Sequence, residues 1–204
     1  EVIEETGRIM TDPQKPYIAE CRKKLPEILK YSPAMIEKAL TFLPLLLNKN
    51  TMKSRLSHIE NYLALDYPVY SRDGRMLRAI PAGTICHIAA GNTFLGSIDS
   101  LLFGLITKNV NILKMSSQDT FFPLVFMEAL KEADKNNIVF PYIALTYWKR
   151  DNETLNNMMK QNVNVVLLFG GEDAVRSFKV GVAPKTEVLA FGPKVSFGIV
   201  TNDI

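Results

Sequence analysis

Three short stretches carry residue types that can act together on an anionic or carbonyl-bearing ligand: Ala89-Ala90-Gly91-Asn92, Lys114-Met115-Ser116-Ser117 and Gly170-Gly171-Glu172-Asp173. In the first, small residues let a ligand come close, and the Asn92 amide can donate to a developing oxyanion. The same asparagine can instead cap a helix or sit in a left-handed turn. In the second, Lys114 ends an apolar run, where an ammonium is expensive to bury without a partner. It either snorkels to solvent or binds ribose hydroxyls or a phosphate. Ser116 and Ser117 add hydroxyls without negative charge, and can equally cap the next helix. In the third, two glycines let the chain approach a ligand, and a following helix N-terminus favours an anion. Glu172 and Asp173 would repel a pyrophosphate if they pointed at it. A helix dipole also stabilises them with no ligand at all. The stretch is neither G-x-G-x-x-G nor a Walker loop, so an ordinary helix start accounts for it too.

Other reactive residue types read as structural. His58 falls on a predicted helix and His87 within a predicted strand. Cys86 lies in that strand and is expected to be buried and inert. Cys21 has Arg22, Lys23 and Lys24 beside it, which can lower its pKa, but an exposed spectator thiol is expected. Asp99 and Asp119 sit in early helical turns, where carboxylates are favourable. The two cysteines form neither a disulfide framework nor a metal-ligand spacing, so a reducing cytoplasm is the expected compartment.

The elements that must position these stretches divide near residue 66. Before it, the pattern is helical. Leu25, Ile28 and Leu29 fall at i, i+3, i+4, and Met35, Ile36, Leu40 and Leu43 continue the spacing behind Ser32-Pro33, a cap and first helical position. Thr51 is expected to start a third helix through Leu56, Ile59 and Leu63. Residues 67–80 alternate around Asp73-Gly74, as a hairpin does. From residue 84 the pattern is strand, helix, strand. Strands are predicted at Thr84–Ala89, Val110–Met115, Tyr142–Thr146, Val163–Phe169, Glu187–Ala190 and Val195–Val200. Helices are predicted at Leu95–Thr107, Asp119–Lys135, Asn152–Gln161 and Asp173–Val180. Nearly continuous apolar strands between helices imply an α/β fold with a buried parallel sheet and right-handed crossovers. In such sheets ligands bind beyond the carboxyl ends of the strands, where all three stretches fall. The expected organisation is a helical segment over 1–65 and an α/β domain over 66–204.

Composition narrows the function classes. Of 204 residues, 47% are apolar and 22% charged, which excludes a disordered or fibrous chain. A net charge of +3 with no Lys/Arg block gives no argument for nucleic acid. The apolar runs Phe42–Leu47 and Leu101–Ile106 are broken by Pro44 and Gly104, far short of the ~18 residues of a membrane span. The sequence shows no signal-peptide pattern. The chain starts at Glu1 and stops at Ile204 directly after a strand-like run, and is expected to be a piece of a longer protein.

In order and spacing, the three stretches resemble the cofactor-binding half of the aldehyde dehydrogenase superfamily. The nearer resemblance is to its acyl-CoA reductase (LuxC-type) family. It is carried by Gly83-Thr84-Ile85-Cys86-His87-Ile88-Ala89-Ala90-Gly91-Asn92, by Lys108-Asn109-Val110-Asn111-Ile112-Leu113-Lys114, by Val165-Val166-Leu167-Leu168-Phe169-Gly170-Gly171 and by Phe191-Gly192-Pro193-Lys194. It covers residues 66–204 well and the helical start less firmly. The combination is fairly specific, and no one piece is.

The resemblance implies a Rossmann-like parallel sheet of the aldehyde dehydrogenase type, after the helical segment and hairpin. It implies an enzyme reducing an acyl-CoA or acyl-protein thioester to a fatty aldehyde, with NADP(H) or NAD(H). Asn92 matches the oxyanion-hole asparagine, and Lys114 the lysine holding the adenosine ribose. Gly170 and Gly171 match the turn leading the pyrophosphate onto a helix, and Ile88, Ala89, Ser116 and Ser117 line the cofactor site. Two positions depart from the pattern. Ser117 stands where NAD-selective members often place Glu, and Ala190 where thioester-hydrolysing members place a general-base Glu. The second departure fits reduction, because water would turn an acyl-enzyme into a dead-end acid. The nucleophilic cysteine of the family would fall after Ile204, so these residues alone are expected to be inactive. A homo-oligomer and an acyl-protein synthetase partner are further implications. The alternatives are a non-catalytic nucleotide-binding module of this fold and a CoA-acylating dehydrogenase of short aldehydes.

Overall fold

The computed structural model describes residues 1–59, 61–91, 94–192 and 197–198. Its first element, α1 (Val2–Ile9), precedes the region where helical spacing was recognised, and buries Thr6, Gly7 and Ile9. Then come α2 (Pro16–Leu29) and α3 (Pro33–Leu46). The Ser32 hydroxyl accepts the Met35 N–H at 3.3 Å, so the predicted cap and Pro33 start are as expected. The third predicted helix is shorter than its spacing suggests: α4 runs only over Lys49–Leu56. Asn61 adopts a left-handed backbone at φ 57°, which asparagine tolerates and a right-handed helix does not contain. Ile59 and Leu63 are exposed, so their spacing meets no core. Tyr62–Leu65 form a single 3₁₀ turn, and His58 lies in the turn after α4.

Cys21 is a second correction. It shares the inward face of α2 with Ile18 and Leu25 and is fully buried. Burial pushes its thiol up to about 12, so the neighbouring cations do not make it reactive.

The hairpin is present as β1 (Val69–Tyr70) and β2 (Met76–Leu77), antiparallel, with Gly74 at φ 80° in the turn. Alternation then follows as predicted: β3 (Thr84–Ile88), α5 (Phe94–Ile106), β4 (Val110–Lys114), α6 (Phe122–Ala133), β5 (Ile143–Thr146), α7 (Glu153–Asn162), β6 (Val165–Phe169), α8 (Glu172–Lys179) and β7 (Glu187–Phe191). Helix α6 begins three residues after the predicted Asp119, because Asp119 is a capping residue. Its carboxylate accepts the N–H groups of Phe121 and Phe122 at 3.2 and 2.9 Å. The predicted strand Val195–Val200 lies outside the described residues, apart from Phe197 and Gly198, which carry no strand.

The sheet order is β5-β4-β3-β6-β7, every pair parallel. Side chains alternate between its two faces. Cys86, Ile88, Val166 and Leu168 pack with Leu155 and Met159 of α7 and Val175 and Phe178 of α8. On the opposite face α5 and α6 cover β3 to β5, and their outer sides merge into one buried cluster with α1, α2 and α3.

A buried polar knot ties α5 to the sheet. His87 lies between Ser100 (Nδ1 to Oγ, 2.7 Å) and Asn111 (Nε2 to Oδ1, 3.0 Å). The Asn111 amide nitrogen donates to the Asn109 carbonyl at 2.7 Å, so its oxygen faces the ring. Burial lowers the His87 pKa, so near neutral pH the ring is uncharged; with Nε2–H donating to Asn111, Nδ1 is left to accept from Ser100. A Cβ on Gly104 would stand 1.9 Å from Asn111 Oδ1, so only glycine fits there.

Candidate functional site

The strand order reverses direction of growth at β3 and β6: the chain first adds β4 and β5 on one side, then β6 and β7 on the other. Loops leaving adjacent strands there diverge to opposite faces and open a crevice. A cleft of about 880 Å³ lies at that place, lined from the carboxyl ends of all five strands. Ile88, Ala89, Ala90 and Gly91 come from β3, and Lys114, Ser116, Ser117 and Gln118 from β4 and its loop. Gly170 and Gly171 follow β6. Seven residues singled out in sequence, Ile88, Ala89, Lys114, Ser116, Ser117, Gly170 and Gly171, thus line one cleft. Asn92 lies outside the described residues, although Gly91 before it is on the cleft wall.

Local packing explains why these loops are so close. A Cβ on Gly91 would meet Gln118 Oε1 at 2.1 Å and Ser116 Oγ at 2.6 Å, so a larger residue there would have to push aside the end of the exposed Gln118 side chain and the Ser116 hydroxyl. The β4 loop is a tight turn in which Ser116 Oγ accepts the Gln118 N–H at 3.2 Å. Gly171 is the residue capping α8. Glu172 in that first turn accepts from Arg176 at 2.8 Å, one turn further on. Its charge is partnered along the helix rather than left beside the glycines.

Lys114 is half-buried, with Nζ 5.4 Å from the centroid of the Trp148 ring. Burial pulls its pKa below the usual lysine value, and the nearby Cys86 partly opposes this. Cys86 itself is fully buried, its thiol pushed up to about 12 by burial. Neither cysteine of the chain is a thiolate near neutral pH.

Sequence reading singled out three strand ends for chemistry and missed β5; at β7 it marked Phe191-Gly192-Pro193-Lys194 only as part of the resemblance. Trp148, Lys149 and Arg150, just past β5, line the cleft as well. The Trp148 indole donates to Asn156 Oδ1 at 2.8 Å, and the Asn156 amide donates to the Arg150 carbonyl at 2.8 Å, so this loop is strapped to α7. Phe169 ends β6 and Phe191 ends β7 on the cleft wall. The strand-end rule that found the other loops would have found these. Lys114, Lys149 and Arg150 are basic, and no described residue lining the cleft is acidic. Such a surface can hold an anion and has no carboxylate to activate water. Among the described residues no His/Cys/Asp/Glu group could hold a metal ion, and no helix is long and apolar enough to cross a membrane.

Comparison with known proteins places this geometry in context. Among solved structures, the NAD-dependent benzaldehyde dehydrogenase from Corynebacterium glutamicum superposes with a TM-score of 0.68 at 12% identity, covering 93% of this chain and 40% of that one. The NADP-dependent glyceraldehyde-3-phosphate dehydrogenase from Bacillus halodurans C-125, complexed with NADP, gives 0.67 at 10% identity, covering 93% and 38%. The sheet is therefore of the aldehyde dehydrogenase type, as expected from sequence.

In sequence, the long-chain acyl-protein thioester reductase of Photorhabdus laumondii subsp. laumondii is 32% identical over 134 residues, 65% of this chain and 28% of that protein. The protein of the same description from Aliivibrio fischeri is 28% identical over 183 residues, 87% of this chain and 38% of that protein. The chain thus spans well under half the length of these curated relatives. A family model described as Acyl-CoA reductase (LuxC) matches residues 1–204, and the chain belongs to that family.

Proposed function

We propose that this chain is the cofactor-binding portion of an acyl thioester reductase that makes fatty aldehyde with NADP(H), and less selectively with NAD(H). The observation that carries the reading is the cleft where five strand ends meet, with three cations and no acid among the described residues on its walls. The family relationship supplies the substrate class: the relatives are described as long-chain acyl-protein thioester reductases. A nicotinamide dinucleotide fits the residues present. Lys114 has an ammonium half out of water with no carboxylate among the described residues beside it, and takes the adenosine ribose and its phosphate. Gly170 and Gly171 let the pyrophosphate reach the α8 N-terminus, where backbone N–H groups favour an anion. Ser116, Ser117, Lys149 and Arg150 line the same cleft and would hold a 2′-phosphate through hydroxyls and positive charge. Ile88 and Ala89 form the floor.

When bound, the reduced nicotinamide supplies a hydride to the acyl carbon. Asn92 donates to the acyl oxygen as negative charge grows there. Both cysteines in this chain are buried with raised pKa values, so the nucleophilic thiolate is supplied from outside these residues. Ala190, where a general-base carboxylate would stand, leaves water unactivated, and the acyl group goes to aldehyde rather than acid. The test uses the complete protein with a long-chain acyl-CoA or acyl-protein thioester and NADPH, with aldehyde as the measured product. Aldehyde formed in step with NADPH consumed is the expected result. Thioester hydrolysis without NADPH consumption would sink the proposal, as would turnover by residues 1–204 alone.

A further inference from the structure

The turn that carries Ser116, Ser117 and Gln118 to the cleft is fastened at both ends. At its start the Met115 N–H donates to the Thr146 carbonyl at 2.9 Å, which ties it to β5. At its end the Asp119 N–H donates back to the Ser116 carbonyl at 3.2 Å, and the two residues form an isolated antiparallel bridge. Ser117 and Gln118 at the tip are exposed, so packing does not fix them and the closure of the turn does.

Asp119 is where this turn meets the core. It is only 4% exposed and stays off the cleft wall. Its backbone closes the turn, and its carboxylate reaches forward to the N–H groups of Phe121 and Phe122 at 3.2 and 2.9 Å. Helix α6 depends on that reach. Phe121, at its cap position, has no side-chain acceptor to offer. Two donors left over from the first turn therefore meet one carboxylate three residues upstream of the helix. Helix α2 packs behind this junction. Lys24 Nζ lies 5.3 Å from the centroid of the Phe121 ring, and the Cys21 thiol, raised first by burial, is raised further by the Asp119 charge. No cation among the described residues pairs with Asp119. Burial raises its carboxyl pKa, and the Phe122 and Phe121 N–H groups oppose this. The charge is thus costly here, yet a neutral serine or asparagine caps a helix about as well. What a carboxylate adds is strength, since hydrogen bonds to a charged acceptor are roughly twice as strong as neutral ones.

We infer that Asp119 is a positioning residue for cofactor choice: it locks the Ser116–Gln118 turn to the buried end of α6, so that the Ser116 and Ser117 hydroxyls stand ready for a 2′-phosphate. The inference rests on the nicotinamide-cofactor reading above and adds a residue to it that touches no ligand. Helix α6 is a firm anchor, with Phe122, Val125, Phe126, Met127, Ala129 and Leu130 all buried. A turn held in place before the ligand arrives does not lose that freedom on binding. NADH has no phosphate at this position, so it gains little from the turn being held.

The experiment measures dissociation constants of NADPH and NADH for the complete protein by calorimetry, with kcat on a long-chain acyl-CoA beside them. Asp119→Ala should weaken NADPH about two- to thirtyfold, the range a lost cap spans. NADH should hardly change. At saturating NADPH, kcat should stay within about twofold, because binding and not the chemical step is affected. Asp119→Asn keeps an acceptor for the two N–H groups and should bind NADPH more tightly than Asp119→Ala. If the alanine protein does not fold, Asp119→Ser, with a shorter acceptor, should show the same loss in smaller measure. Equal weakening of both dinucleotides overturns the positioning role, as does unchanged NADPH binding at a lowered thermal midpoint; either leaves Asp119 a helix cap and no more. Tighter NADPH binding by Asp119→Ala overturns it too, since the carboxylate would then oppose the phosphate. A wild-type protein that binds neither dinucleotide overturns the cofactor reading itself, and this role with it.

Discussion

Lys114 holds its ammonium over the Trp148 indole, 5.4 Å from the ring centroid, and no carboxylate among the described residues meets it. Burial lowers its pKa, so its charge is costlier here than on the surface. An anionic ligand favours the protonated form and raises that pKa again. Cofactor affinity should therefore be full at neutral pH and fall as pH rises through the lowered lysine pKa. Lys114→Met should remove that fall and weaken binding about ten- to hundredfold, as loss of a charged hydrogen bond of ~1.5–3 kcal/mol implies. Dissociation constants for NADPH between pH 7 and 10.5 measure both. A flat profile in the wild-type protein would remove Lys114 from the site.

Cofactor choice should follow the charges around Ser117. A carboxylate there would chelate the 2′- and 3′-hydroxyls and repel a 2′-phosphate, whereas hydroxyls and cations accept it. NADPH should be used at least as well as NADH. Ser117→Glu should shift the ratio of kcat/KM toward NADH, and Arg150→Ala should lower it for NADPH alone. A strong wild-type preference for NADH contradicts the assignment.

Asn92 is proposed as an oxyanion donor. Loss of one such donor costs about 2.7–4 kcal/mol, or roughly 10²–10³-fold in kcat. Asn92→Ala in the complete protein should show that loss with little change in cofactor affinity. A helix cap would instead cost about 1 kcal/mol of stability and leave turnover intact. Thermal midpoint and kcat on one preparation separate the two roles.

His87 should make stability sensitive to acid. Burial holds its folded pKa below 6.5, while its hydrogen bond to Asn111 works the other way. The unfolded chain therefore takes up the proton first. Stability should be full above pH 6.5 and fall as pH drops from there toward the lower folded value. His87→Leu should flatten this slope and lower stability throughout, since Ser100 and Asn111 lose a buried partner. Denaturant titrations at pH 5 and pH 7.5 give the comparison, and an unchanged slope in the variant would assign the acid sensitivity elsewhere.

How far the sequence carried depended on the range of the interaction involved. Strands β3, β4 and β6 were legible because burial on both faces makes them continuous apolar runs. Ser32-Pro33 was legible because capping is local. Cys21 was misjudged because three cations beside it in sequence hide that it faces inward in space. Helix α4 was extended too far because Ile59 and Leu63 keep helical spacing with no partner to satisfy it. Three cleft loops were found from glycine, lysine and serine. The β5 end was missed, and Phe191 at the β7 end went unassigned to the cleft, because Trp148 and Phe191 look like core residues until the strand order places them at the crevice.

The uneven packing on the two sides of the sheet has a dynamic consequence. Helix α6 buries Phe122, Val125, Phe126, Met127, Ala129 and Leu130 between the sheet and α1 and α2. Helix α8 buries only Phe178, and α7 has no outer layer described against it. Backbone amides in α6 should exchange with solvent only when the whole chain unfolds, while those of α7 and α8 exchange through smaller openings. The half of the molecule that follows the glycine turn is thus the half with stability to gain. Slower amide exchange along α8, with α6 unmoved, is the signature a bound dinucleotide would leave.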